Sequence, residues 1–126
     1  AGHPKINYSK KLKKLFKYKI IEYSTNDLIY KSDIVLTHMS TSINFAVIYK
    51  KKIIHLDSSS YNKRLRDHII SFSNCIGSKL INLKDSKYKY ILNEINLKKY
   101  NDYLQRYITP FKDNNKKLWQ IVVEKI

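Results

Sequence analysis

The sequence predicts an α/β fold: a Rossmann-like parallel sheet with helices on both faces and a helical C-terminal extension, in one domain over residues 1–126. Two observations predict it. Runs of about five branched or apolar residues alternate with helical stretches of about ten, which is typical of βαβ units. These runs are also too uniformly apolar to face water on one side, which is typical of buried parallel strands.

The elements follow in chain order. A helix is predicted over 5–17, where Leu12, Leu15 and Phe16 share one face. The predicted strands are 19–23, 33–37, 52–56 and 79–83. The predicted helices between them are 25–31, 40–50 and 62–73, and the chain turns helical again beyond Asp85, with an interruption near Pro110.

Composition limits the classes of function. With 43% hydrophobic residues the chain is expected to pack a core, and its one cysteine, Cys75, excludes an intrachain disulfide and a cysteine-based zinc site. The net charge is +15, but of 25 basic residues only Arg64, Arg66 and Arg106 are arginine. Because readers of phosphates and bases favour the forked guanidinium, the lysine excess fits two explanations: a genome biased towards A and T, or attraction to an anionic partner.

Chemistry-bearing residues concentrate in the loop 37–42, between a predicted buried strand and a predicted helix. Its sequence is Thr-His-Met-Ser-Thr-Ser. In open parallel sheets ligands bind outside the carboxyl ends of the strands, and hydroxyl groups at a helix start can donate to a phosphate. Serine and threonine are also frequent helix N-caps, so capping without a ligand is the alternative. The only glycines, Gly2 and Gly77, rule out a Walker loop and a GxGxxG fingerprint.

The other polar positions have a structural interpretation, and some of them also have a functional one. His3, held extended by Pro4, is either a terminal residue without a role or an imidazole that protonates a leaving phosphate. His55 and His68 lack ligand spacing and are expected to be structural. Residues 57–60 (Asp-Ser-Ser-Ser) are expected to form a turn, with ligand contact as the alternative.

The stretch 31–56, KSDIVLTHMSTSINFAVIYKKKIIHL, resembles the donor-binding half of two-domain (GT-B) glycosyltransferases that build bacterial surface polysaccharides. More specifically, it is similar to the bacterial sialyltransferase and polysialyltransferase-like group, and more loosely to CDP-glycerol glycerophosphotransferases. That group carries an HP motif, matched by His3-Pro4, and an SS/ST motif, matched by Ser40-Thr41 or Thr41-Ser42.

The resemblance implies a set of roles. His3 would stabilise or protonate the departing phosphate of a cytidine-activated sugar, most plausibly CMP-sialic acid. The other residues implied to contact the nucleotide or its phosphate are Pro4, His38, Ser40, Thr41 and Ser42. The donor would be a substrate, and neither a separate cofactor nor a metal is expected. The protein would be cytoplasmic, with peripheral attachment to an anionic membrane allowed and nucleic acid not expected.

The chain also departs from the family pattern. Lys52 stands where proline is usual, and Asn44 where an acidic residue is frequent. The acidic third motif and the strands expected before His3 are missing, so the chain is expected to be a fragment without the half that binds the glycan acceptor and holds the general base. The rival class is a non-catalytic basic module that attaches to nucleic acid or to an anionic membrane.

Overall fold

The fold is a three-stranded parallel sheet flanked by helices, so the predicted Rossmann-like α/β class is confirmed. The computed structural model describes residues 1–2, 8–9, 13–15, 18–84 and 94–108. The strands are β1 (Ile34–Thr37), β2 (Lys52–Asp57) and β3 (Lys79–Asn82), in the order β1-β2-β3. The helices are α1 (Thr25–Lys31), α2 (Ile43–Ile48), α3 (Lys63–Ile76) and α4 (Leu97–Tyr103), and a π-helical turn, Leu104–Ile108, continues α4.

Local signals set the ends of α3. The Asn62 side chain accepts a hydrogen bond from the Leu65 N–H at 2.9 Å, which caps the first turn. At the other end Gly77 adopts the left-handed conformation with φ 72°, the usual helix stop. The helix therefore runs three residues beyond the predicted end at Ser73.

The predicted strand over 19–23 was wrong, because this segment is not a strand in the structure. Tyr23 has φ 58°, a left-handed conformation that cannot continue a β-strand. The segment is held instead by the Gly2 N–H, which donates to the Ile21 carbonyl at 2.7 Å, and by an ion pair between Lys13 and Glu22. Within the described residues the sheet thus has three strands rather than the expected four, with β1 at its edge.

One cluster of buried side chains joins the four helices to the sheet. Its members are Ile29, Ile43, Ala46, Val47, Ile53, Ile76, Tyr100 and Tyr103. Ile43, Ala46 and Val47 point inward from α2. Successive strand residues point to opposite faces, and Ile54 and Ile81 are also buried, so the sheet is covered on both faces.

The helical C-terminal extension is described as far as residue 108. Its α4 packs against α3, and the Tyr100 hydroxyl donates to the carbonyl of Lys51, the residue before the central strand β2, at 2.8 Å. Most of the predicted helix 5–17 and the whole of 109–126 lie outside the described residues, and those predictions stand untested.

Candidate functional site

The loop after β1 and the end of β2 lie side by side at the carboxyl edge of the sheet. Thr37, the last residue of β1, is paired in register with His55 of β2. This pairing places residues 38–42 next to a histidine on the neighbouring strand. The carboxyl edge is where parallel α/β sheets bind ligands.

The turn that leads into α2 is stabilised by hydrogen bonds among its own residues. The hydroxyl oxygens of Ser40 and Ser42 are 2.7 Å apart, and the Ser42 N–H donates to Ser40 Oγ at 3.3 Å. The next N–H groups donate to carbonyls three residues back, as Ile43 does to Ser40 at 3.2 Å. Helix α2 therefore begins at Ile43 rather than Ser40, and Ser40 and Ser42 act as turn-forming residues.

Thr41 differs from its neighbours in this turn. No described residue forms a hydrogen bond with its hydroxyl, and the residue is exposed. Because the first N–H groups of α2 are bonded within the turn, the Thr41 hydroxyl is the group best placed to donate to an anion. The N–H groups from Ser42 to Phe45 are bonded within the turn and are not free to hold a phosphate.

His38 connects the loops that follow β1 and β2. Its Nδ1 accepts the Met39 N–H at 2.7 Å, so the neutral ring carries its hydrogen on Nε2. The ring also contacts Tyr61 edge-on, with 6.1 Å between the centroids. An exposed Nε2–H at the carboxyl edge is a second donor that an anionic ligand can meet.

These loop residues line a cleft of about 430 Å³, within the range of roughly 300–1,000 Å³ typical of small-molecule pockets. Its walls combine the loop with apolar and aromatic side chains from α2, α3 and α4. The lining residues are His38, Met39, Ser40, Thr41, Ile43, Asn44, His55, Phe72 and Tyr103. Three residues expected to contact a phosphate, His38, Ser40 and Thr41, thus share one cleft.

His55 is the lining residue that the sequence analysis assigned to structure alone. Its side chain is 1% exposed, and its Nδ1 lies 2.6 Å from the Ser78 hydroxyl oxygen. Burial lowers the pKa of this imidazole to about 4, so the ring is neutral at pH 7. Its position just before the carboxyl end of β2 was the available signal, since that end of a parallel strand faces the ligand side.

Tyr103 and Phe72 form the aromatic wall of the cleft. The Tyr103 hydroxyl donates to Asn44 Oδ1 at 2.9 Å, and the two aromatic rings are 6.5 Å apart between centroids. Asn44 and Tyr103 are 59 residues apart in the chain, so no local pattern identified them as site residues.

A second, wider cleft of about 740 Å³ lies on the other side of the same loop, beside β1. Gly2 lines it together with Ser40, Thr41 and Ser42. His3 and Pro4 lie outside the described residues, so their approach to the loop stays a prediction.

The turn expected over 57–60 lies over 58–61, where the Tyr61 N–H donates to the Ser58 carbonyl at 3.0 Å, and Asp57 is the last residue of β2. Asp57 is buried and receives a two-pronged ion pair from Arg66, with Nη2 to Oδ2 at 2.8 Å and Nε to Oδ1 at 3.0 Å. The Ser58 N–H also donates to Asp57 Oδ1 at 2.8 Å. The Arg66 hydrogen bonds hold the pKa of the Asp57 carboxyl below its usual value, against the opposing effect of burial. The Asp57 carboxylate therefore links β2 to α3 through Arg66.

The described part of the chain shows neither a metal-binding cluster nor a membrane-spanning helix. No group of three histidine, cysteine, aspartate or glutamate side chains there is arranged to hold a metal ion. No helix in residues 18–84 or 94–108 is long and apolar enough to cross a lipid bilayer.

No family model matches this chain, and no curated protein or solved structure matches it either.

Proposed function

We propose that the chain is the donor-binding part of a glycosyltransferase-like enzyme and that it binds a nucleotide-activated sugar in the cleft after β1. One observation carries the proposal: His38, Ser40 and Thr41, which the sequence singled out, line a single cleft at the carboxyl edge of a parallel sheet. The resemblance supports a cytidine nucleotide, with a sialic acid as the sugar and a CDP-glycerol-type donor as the alternative.

The described residues suggest how the phosphate is held. The Thr41 hydroxyl and the His38 Nε2–H are exposed donors at the mouth of the cleft, where a phosphate keeps part of its hydration. Charge grows on this phosphate as the sugar leaves, so donors fixed around it lower the barrier to transfer. His3 would add a proton donor. The acceptor would be bound, and its general base supplied, by a part of the enzyme other than these residues.

The net charge of +15 favours a second candidate, a basic module that binds nucleic acid or an anionic membrane surface. Binding of that kind weakens steeply with salt and discriminates little among small nucleotides. A donor site instead saturates and prefers one nucleotide. For the donor-binding proposal we place the protein in the cytoplasm, with its basic surface available to the inner face of the membrane.

A titration followed by amide NMR separates these candidates. CMP and CDP should shift the amide signals of Met39, Ser40, Thr41 and Ser42 with saturation, and AMP and GMP should shift them less. The apparent affinity for CMP should change little between 50 and 200 mM salt. A response that depends only on the number of phosphates, and that disappears with salt, would favour the basic module.

A further inference from the structure

The His55 ring carries one nitrogen without a hydrogen-bond partner in the described part of the chain. Nδ1 is bonded to the Ser78 hydroxyl, but no bond to Nε2 is found there. The residue is 1% exposed, so its contact with solvent is confined to the cleft that it lines. Leaving such a group unsatisfied destabilises the fold, and buried polar groups in proteins are nearly always bonded. Because the ring lines the cleft, an occupant of the cleft can supply the partner.

The surroundings of His55 favour a flat, uncharged ring as that occupant. Ile43, Phe72 and Tyr103 form an apolar and aromatic wall, the kind of surface on which nucleobases pack. The Asn44 amide oxygen is taken by the Tyr103 hydroxyl, which leaves the amide NH₂ as a donor at the same wall. The cleft therefore offers two hydrogen-bonding groups within an apolar lining.

An anionic group is a poor partner for the buried His55 ring. The ring is neutral at pH 7, because burial holds its pKa at about 4. A phosphate or a sugar carboxylate moved to this depth would lose its hydration without gaining an opposite charge. The phosphate accordingly belongs at the exposed mouth beside Thr41, and the uncharged part of the ligand belongs inside.

We propose that His55 is a ligand-contacting residue: its Nε2 bonds to the polar edge of a nucleobase that packs against Phe72 and Tyr103, with Asn44 as the second contact. This inference rests on the proposed function only for the phosphate at Thr41. The base contact itself stands on the cleft and can be tested without a phosphate.

The first test uses the wild-type chain and needs no variant. Histidine ring nitrogens are observed by ¹⁵N NMR while cytidine, ribose 5-phosphate or free sialic acid is added. Cytidine, which lacks a phosphate, should shift the His55 ring signals, whereas ribose 5-phosphate should shift only the Met39–Ser42 amides. A His55 response to sialic acid and none to cytidine would overturn the nucleobase assignment.

The second test compares His55→Leu with His68→Leu, a matched change at an exposed histidine of α3. His55→Leu should weaken CMP binding about tenfold, as expected for a lost hydrogen bond, and leave ribose 5-phosphate binding unchanged. His68→Leu should alter neither affinity.

The outcomes also distinguish the inference from the proposed function. If CMP shifts the Met39–Ser42 amides but neither the His55 ring nor the His55→Leu affinity responds, the His55 contact is wrong and the phosphate site stands. If cytidine shifts His55 but no phosphate-bearing ligand shifts Thr41, the base contact stands and the donor-binding proposal fails. No shift at either place overturns both.

Discussion

The imidazole of His55 and the hydroxyl of Ser78 form a hydrogen bond between β2 and the start of β3, with 2.6 Å between Nδ1 and Oγ. His55 lies near the carboxyl end of β2, and Ser78 immediately precedes β3. The bond orients the ring so that it lines the cleft while its nitrogen Nδ1 is satisfied. It also gives the protein a titratable group whose environment differs greatly between the folded and unfolded chain.

That difference predicts a loss of stability in mild acid. Burial lowers the pKa of His55 from 6.5 to about 4, so between these values the unfolded chain binds a proton that the folded chain does not. The free energy of unfolding should therefore fall by roughly 3 kcal/mol as the pH drops from 7 to 4. Urea denaturation at several pH values measures the slope. His55→Leu should flatten it and His68→Leu should not; equal slopes in the two variants would contradict the assignment.

The ion pair between Asp57 and Arg66 predicts a further acid-sensitive step. Arg66 holds the pKa of the Asp57 carboxyl below its usual value, so the pair stabilises the fold above the ordinary aspartate pKa and is lost as the pH falls through the folded value. Arg66→Gln should lower the melting temperature at pH 7 more than Arg64→Gln, which removes an equal charge from the same helix. Thermal melts at pH 7 and pH 2 should show this difference shrinking in acid.

Gly77 is predicted to be intolerant of a side chain. Its φ is +72°, and an added Cβ would lie 2.7 Å from Lys99 Cδ and 3.3 Å from Asn96 Cβ. Gly77→Ala should cost about 1–3 kcal/mol through backbone strain, measured by urea denaturation. Ser71→Ala, on the exposed side of α3, should stay within about 0.5 kcal/mol. Comparable effects of the two changes would show that Gly77 is replaceable.

The bond from Tyr103 to Asn44 predicts a modest and local effect. Tyr103→Phe removes the hydroxyl that donates at 2.9 Å and should cost about 0.5–1.5 kcal/mol of unfolding free energy. Tyr107→Phe is the control, because its side chain is 62% exposed. The two variants are compared by chemical denaturation, and a larger loss in Tyr107→Phe would refute the role given to Tyr103.

Thr41 is predicted to contribute to nucleotide binding rather than to stability. Thr41→Ala should weaken CMP binding by about 1–3 kcal/mol, the range for losing a hydrogen bond to a charged group, with little change in melting temperature. Ser59→Ala removes a hydroxyl from the neighbouring turn and should leave the affinity unchanged. Calorimetric titration of both variants tests this, and loss of affinity in Ser59→Ala instead would move the phosphate to the turn after β2.

The sequence by itself determined the elements whose causes are local. The apolar runs of β1, β2 and β3 and the Asn62 start of α3 were predicted, because periodicity and capping depend on residues a few positions apart. Gly77 is a local stop signal too, but the predicted helix ended three residues early, at Ser73. The same local logic placed His38, Ser40 and Thr41 after the carboxyl end of β1.

Only the tertiary structure decided the features that depend on distant partners. Residues 19–23 have strand-like composition, yet a strand forms only where a neighbour pairs with it, and Tyr23 turns the chain away instead. Burial in the folded chain lowers the pKa of His55, and Tyr103 lines the cleft where it bonds to Asn44, 59 residues away in the chain. Such contacts bring together residues that no sequence periodicity relates. Burial then determines whether these residues are charged and which hydrogen bonds they make.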